Sequence, residues 1–155
     1  METTEGNIIH YDFVEKKIVE LGKIYDIKEI AYDRWGAEHL VQNMENEHFE
    51  MIEFGQGFYS MSQPAKELYR LVLDEKLWHG GNPALRWMFE NVYIEMDAAA
   101  NIKPSKKKSR EKIDGAVAAI MALSGALHSF VKPKKSVYDT PGRGILSYGE
   151  DGFRW

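Results

Sequence analysis

Two aspartates far apart in the chain and one dense block of lysines are the residues here that can do chemistry. Asp33 closes the stretch Ile27-Lys-Glu-Ile-Ala-Tyr, and Asp114 stands near the entrance of the alanine-rich stretch Ser109 to His128. Just before Asp114 come Lys103, Lys106, Lys107, Lys108, Arg110 and Lys112, opposed within their own segment only by Glu111. Carboxylates at the ends of core elements, beside cations, suit a divalent metal and a phosphate. Magnesium and manganese prefer oxygen donors and are often held by one or two carboxylates plus substrate phosphate. Two such ions can activate a water and stabilise the leaving oxygen of a phosphodiester. The lysines would hold a phosphate backbone without reading bases. Each feature also has a plainer explanation. An acid at a helix N-terminus gains ~0.3–1 kcal/mol from the dipole, an aspartate caps a turn, and a lysine run serves solubility.

The elements that must position these residues follow from apolar spacing. Ile113, Val117, Ile120, Ser124 and Leu127 recur at helical intervals, so Ser109 to His128 reads as a buried helix. Its alanines and glycines keep the rest of its surface small enough to lie close to a sheet. Upstream, Gly6 to Tyr11 reads as a lead-in strand, and Asp12 as the N-cap of a helix over Phe13 to Tyr25. A strand from Ile27 ends at Asp33, Ala37 to Glu47 is helical, and Phe49 to Phe54 is a second strand. This alternation predicts parallel pairing with helices on the sheet faces, where ligands gather beyond the carboxyl ends of the strands. Gly55 to Gly57 is a loop, and Ser62-Gln-Pro-Ala opens a helix to about Asp74 that buries Leu68, Leu71 and Val72. After the Gly80-Gly81 turn, Asn82-Pro83 opens a short helix, with Trp78, Trp87 and Met88 read as core. Val92 to Met96 and Ile102 to Pro104 read as strands joined by a turn from Asp97 to Asn101. Residues 1–128 therefore form the domain. Residues 129–155, punctuated by Pro133, Pro141 and several glycines, read as a flexible or partner-dependent tail.

Composition narrows the chemistry. The 155 residues suit one domain, and 44% apolar content can fill its core. The absence of cysteine removes disulfides, thiolate nucleophiles and cysteine zinc sites. Against a net charge of -4, the basic block stands out as a local anion site. There is no Walker A loop, and His10, His39, His48, His79 and His128 lack ligand spacing. Ser60, Ser62 and Ser124 lack a nucleophile-elbow context. An acidic start with no apolar run, and no apolar stretch of the ~20 residues that span a bilayer, point to a soluble cytoplasmic protein.

Five segments together resemble one family. Ile30-Ala-Tyr-Asp-Arg-Trp35, Glu53-Phe-Gly-Gln-Gly57, His79-Gly-Gly-Asn-Pro-Ala-Leu-Arg-Trp87, Asn101-Ile-Lys-Pro104 and Glu111-Lys-Ile-Asp-Gly115 resemble the C-terminal nuclease domain of tailed-phage terminase large subunits. The resemblance covers roughly Gly6 to Leu127, with the segments in the right order. It implies a ribonuclease H-like α/β fold, with a short mixed or parallel sheet flanked by helices. It implies cleavage of concatemeric double-stranded viral DNA with two Mg2+ or Mn2+ ions during packaging. Asp33 and Asp114 match the family's metal-binding catalytic acids, and the small subunit and portal are implied partners.

The family's first catalytic aspartate lies on an opening strand that has no counterpart here. Asp12 does not match it, and Asp97 reads as a turn residue. The resemblance thus implies a truncated nuclease without the first three strands or the ATPase domain: a split gene product, a prophage remnant or a deliberate truncation. Such a truncation would weaken metal binding and leave a central strand as an edge open to another chain or a second copy. Two rival readings stay open, a non-catalytic DNA-binding or assembly module and one half of a complementing pair.

Overall fold

Helix and strand alternate through the first half of the chain and build a parallel pair. The computed structural model describes residues 11–131 except 36 and 79. Helix α1 (Tyr11–Gly22) leads to strand β1 (Ile30–Tyr32), helix α2 (Glu38–Asn46) and strand β2 (Met51–Glu53). The strands pair in parallel with Ile30 opposite Met51 and Tyr32 opposite Glu53, as the alternation predicts. The Ile30 N–H donates to the Glu50 carbonyl at 2.8 Å, and the Phe54 N–H donates to the Tyr32 carbonyl at 2.8 Å. Among the described residues β1 pairs with β2 alone. Helix α1 starts two residues earlier than predicted, so Asp12 lies in its first turn and does not cap it. It stops at Gly22, where a Cβ would stand 2.8 Å from a ring carbon of Phe49. Asn43 of α2 donates to Glu15 of α1 at 2.9 Å. The lead-in strand lies outside the described residues except at Tyr11, which is helical, and the tail from 132 onward also lies outside them.

The second half departs from the sequence reading at a proline. Helix α3 (Phe58–Leu73) begins well before Ser62, and Pro64 sits inside it. Proline there cannot donate to the Ser60 carbonyl, a cost that normally keeps it at a first turn. Burial of Met61, Ser62, Pro64, Ala65 and Leu68 outweighs that cost. Ser62 accepts a hydrogen bond from the Ile102 N–H at 3.2 Å, so it ties α3 to a strand and does not cap the helix. Leu71 is half-buried, and Val72, expected inside, is exposed.

Helix α4 (Pro83–Glu90) begins as its sequence predicts. The Asn82 side chain accepts from the Leu85 N–H at 3.0 Å, and Gly80 and Gly81 take the left-handed φ values of 62° and 69° that the turn requires. The tryptophans are not core: Trp78 is 96% exposed and Trp87 43%. Helical spacing gives the reason for Trp87. Leu85, Met88 and Phe89 share the inner face of α4, and position 87 points the other way. Strands β3 (Ile94–Met96) and β4 (Ile102–Pro104) pair antiparallel, with Glu95 opposite Lys103.

Helix α5 (Asp114–Val131) closes the domain. It begins at Asp114 and not at Ser109. Ile113, Val117, Ile120 and Met121 pack on Met61, Ala65 and Leu68 of α3, with Ala31, Phe54, Phe89 and Ile102 around them. The small residues serve close approach, since Glu29 occupies the space that a side chain at Gly125 would need. No described helix is long and apolar enough to cross a membrane.

Candidate functional site

Asp33 follows β1 directly and is half-buried. Its Oδ1 accepts from the Trp35 N–H at 3.3 Å, so it does cap the turn, while Oδ2 has no hydrogen bond to a described residue. Beside it the guanidinium of Arg34 lies 5.0 Å from the Trp35 ring and 3.9 Å from Glu53 at the end of β2.

Asp114 is held from two sides. Ile113, 1% exposed, anchors the preceding residue in the core, and its carbonyl accepts from the Val117 N–H at 3.0 Å. Gly115 follows, with its N–H 3.1 Å from the Met88 sulfur, and a Cβ there would lie 2.7 Å from that same atom. The Asp-Gly pair therefore lets α5 begin hard against α4 while the carboxylate faces outward. Its Oδ1 lies 3.1 Å from Lys106 Nζ. Asp33 and Asp114 share no hydrogen bond or common partner, and no three His, Asp or Glu side chains among the described residues form a metal-holding group.

The lysine block divides into committed and free cations. Lys108 lies 2.9 Å and Lys103 3.9 Å from the carboxylate of Glu95, which the opposing strand β3 supplies. Lys103 also sits 4.9 Å from the Phe58 ring, and Lys108 5.5 Å from the Tyr93 ring. Lys107, Arg110 and Lys112 are exposed and make no ion pair with a described residue. Two serines that the sequence reading passed over hold this loop. The Tyr93 N–H donates to Ser109 Oγ at 3.0 Å, Ser109 Oγ donates to the Ser105 carbonyl at 2.7 Å, and the Ser105 N–H donates to the Tyr93 carbonyl at 2.9 Å. Their spacing of four, flanking a lysine run, was the signal that could have found them.

The Lys108 ammonium, hydrogen-bonded to Glu95, holds that carboxyl below its usual range, and Glu95 in turn raises Lys108. A carboxyl lowered on folding stabilises the fold fully above its unfolded pKa of ~4.3, and the benefit is lost as pH falls through the folded value. Glu95→Gln is therefore expected to lower stability by a modest, nearly constant amount above pH ~4 and to flatten the acid limb, the two proteins converging as pH falls. Superimposable acid limbs in thermal melts from pH 2 to 7 would rule out a folded role for the pair.

What the fold defines is a mixed α/β domain, with helices packed around two small two-stranded sheets among the described residues. The family model for the terminase large subunit, endonuclease domain, matches residues 1–129, and the chain belongs to that family. It is 33% identical over 128 residues to the "Terminase, large subunit" of Enterobacteria phage HK97, covering 81% of this chain and 25% of that protein. It is 30% identical over 129 residues to Protein YmfN of Escherichia coli (strain K12), covering 82% of this chain and 28% of that one. The crystal structure of the HK97 bacteriophage large terminase superimposes with a TM-score of 0.73 at 32% identity, over 80% of this chain and 26% of that one. The chain thus spans about a quarter of the length of the curated relatives it matches.

Proposed function

We propose that this domain cuts double-stranded DNA as the nuclease portion of a phage terminase large subunit, acting on concatemeric viral DNA during packaging in the host cell. In this reading Asp33 and Asp114 hold Mg2+ or Mn2+ on a ribonuclease H-like core. The observation that carries it is the course of α5 beside the parallel strands. Gly125 lies against Glu29 at the start of β1, and Met121 lies 4.0 Å from Gln56, beyond the end of β2. Moving up the strands therefore means moving down α5 toward its first turn. From Glu29 to Asp33 the strand climbs roughly 13 Å, and from Gly125 to Asp114 the helix spans roughly 16 Å. This course supports a reading in which both acids act at the carboxyl end of the strands, where α/β ligands bind.

The donor set fits a hard cation. Each acid offers carboxylate oxygens, Asp33 keeps one outside its turn, and Mg2+ commonly completes its shell with water and substrate phosphate. When bound, such ions supply an activated water and charge stabilisation at the leaving oxygen. The chain's own residues do the rest. Arg34, next to Asp33 in the chain, and the cations of the basic loop that make no ion pair with a described residue would hold phosphates, with that loop tied to Tyr93 through Ser105 and Ser109.

A plasmid-nicking assay with Mn2+ tests the proposal, because metal-dependent cutting separates it from a non-catalytic DNA-binding or assembly module. Intact plasmid at every metal concentration, even with the terminase's remaining segments supplied, would end it. The division of the lysines makes a further prediction. Replacing Lys107, Arg110 and Lys112 together with alanine is expected to weaken DNA binding for all sequences. Its salt dependence should flatten by about 0.9 in log–log slope for each phosphate no longer neutralised. An unchanged slope in a fluorescence anisotropy titration would place the DNA elsewhere.

A further inference from the structure

The Lys106–Asp114 pair puts a cation where the proposed function needs a different one. Lys106 reaches out of a loop tied on both sides, by the Ser105 N–H to the Tyr93 carbonyl and by the Lys108 side chain to Glu95. Its ammonium takes one oxygen of Asp114 at 3.1 Å. Its neighbour Lys107 has no such partner among the described residues, so the interaction is particular to position 106. The two side chains are 51% and 63% exposed, which leaves the pair solvated and easily exchanged.

We propose that Lys106 is a built-in placeholder at Asp114: it neutralises the carboxylate until a divalent ion displaces it, and the released ammonium is then free for a DNA phosphate. This rests on Asp114 being a metal ligand. Linkage then requires reciprocity, because an ion that frees Lys106 favours DNA and DNA that engages Lys106 favours the ion, by the same factor. The placeholder weakens metal binding in the absence of DNA and couples it to substrate.

The test is calorimetric titration of the full chain with Mn2+, without DNA. Lys106→Gln is expected to bind Mn2+ about threefold more tightly than Lys107→Gln, which removes the same charge from the same loop without touching Asp114. Asp114→Asn should lose that binding, and thermal melts should show all three variants folded. Equal affinities in Lys106→Gln and Lys107→Gln, with binding still dependent on Asp114, would overturn the placeholder and leave the metal reading standing. Binding that survives Asp114→Asn would overturn both.

Discussion

Asp33→Asn and Asp114→Asn are each expected to lower Mn2+ affinity by about 100-fold, with metal-dependent DNA cutting lost in both. Removing even an outer partner of a metal site typically costs about 10–100-fold, and removing a direct ligand from a site with few carboxylates should cost no less. Neither change should unfold the protein. An asparagine at position 33 still offers an oxygen to the Trp35 N–H, so the turn survives. At position 114 the substitution forfeits a favourable charge at the start of α5 and a solvated ion pair, each a sub-kcal to ~1 kcal/mol effect. Loss of binding in a variant that still melts cooperatively, at most a few degrees below wild type, would therefore report on the site and not on the fold. Wild-type Mn2+ affinity in either variant would remove that acid from the reading.

Ile113→Ala should have the largest effect on stability. Ile113 is 1% exposed and lies between α3 and α5, against Met61, Ala65 and Leu68. A cavity of that kind costs ~2–5 kcal/mol, from a total that is ~5–15 kcal/mol for a typical domain. At this size each kcal/mol moves the melting point by ~2–4 °C, so a fall of roughly 5–15 °C is expected. Ile113→Val should cost only ~0.5–1.5 kcal/mol. Because Ile113 precedes Asp114, a loosened anchor should also weaken Mn2+ binding before the domain melts. A melting point within about 2 °C of wild type in Ile113→Ala would show that this core is not closed.

Much of this architecture can be read along the chain, because it depends on near neighbours. Val117, Ile120 and Ser124 line one face of α5, with Ile113 just before it on the same stripe, by helical period alone. Asn82-Pro83 starts α4 through a hydrogen bond three residues long, and the alternation around Asp33 foretells a parallel pair. The five short motifs name the family through the residues at element ends. Pro64 stands inside α3 although local chemistry favours a helix start there, and only the buried face of α3 reveals why the helix continues through it. Trp78 and Trp87 are exposed against expectation because a large apolar residue signals burial only on average.

Type and spacing in the chain determined that this protein would carry two acids at element ends and a basic loop before a buried helix. Tertiary structure decided which charges meet. Glu95 takes Lys103 and Lys108, Asp114 takes Lys106, and Lys107, Arg110 and Lys112 stay free of ion pairs among the described residues. The physical reason is range. Helical period and capping act within about one turn of the backbone, whereas an ion pair needs two side chains close in space and is indifferent to the residues between them. Only packing β3 against β4, and α5 against α3 and β1, creates those distances.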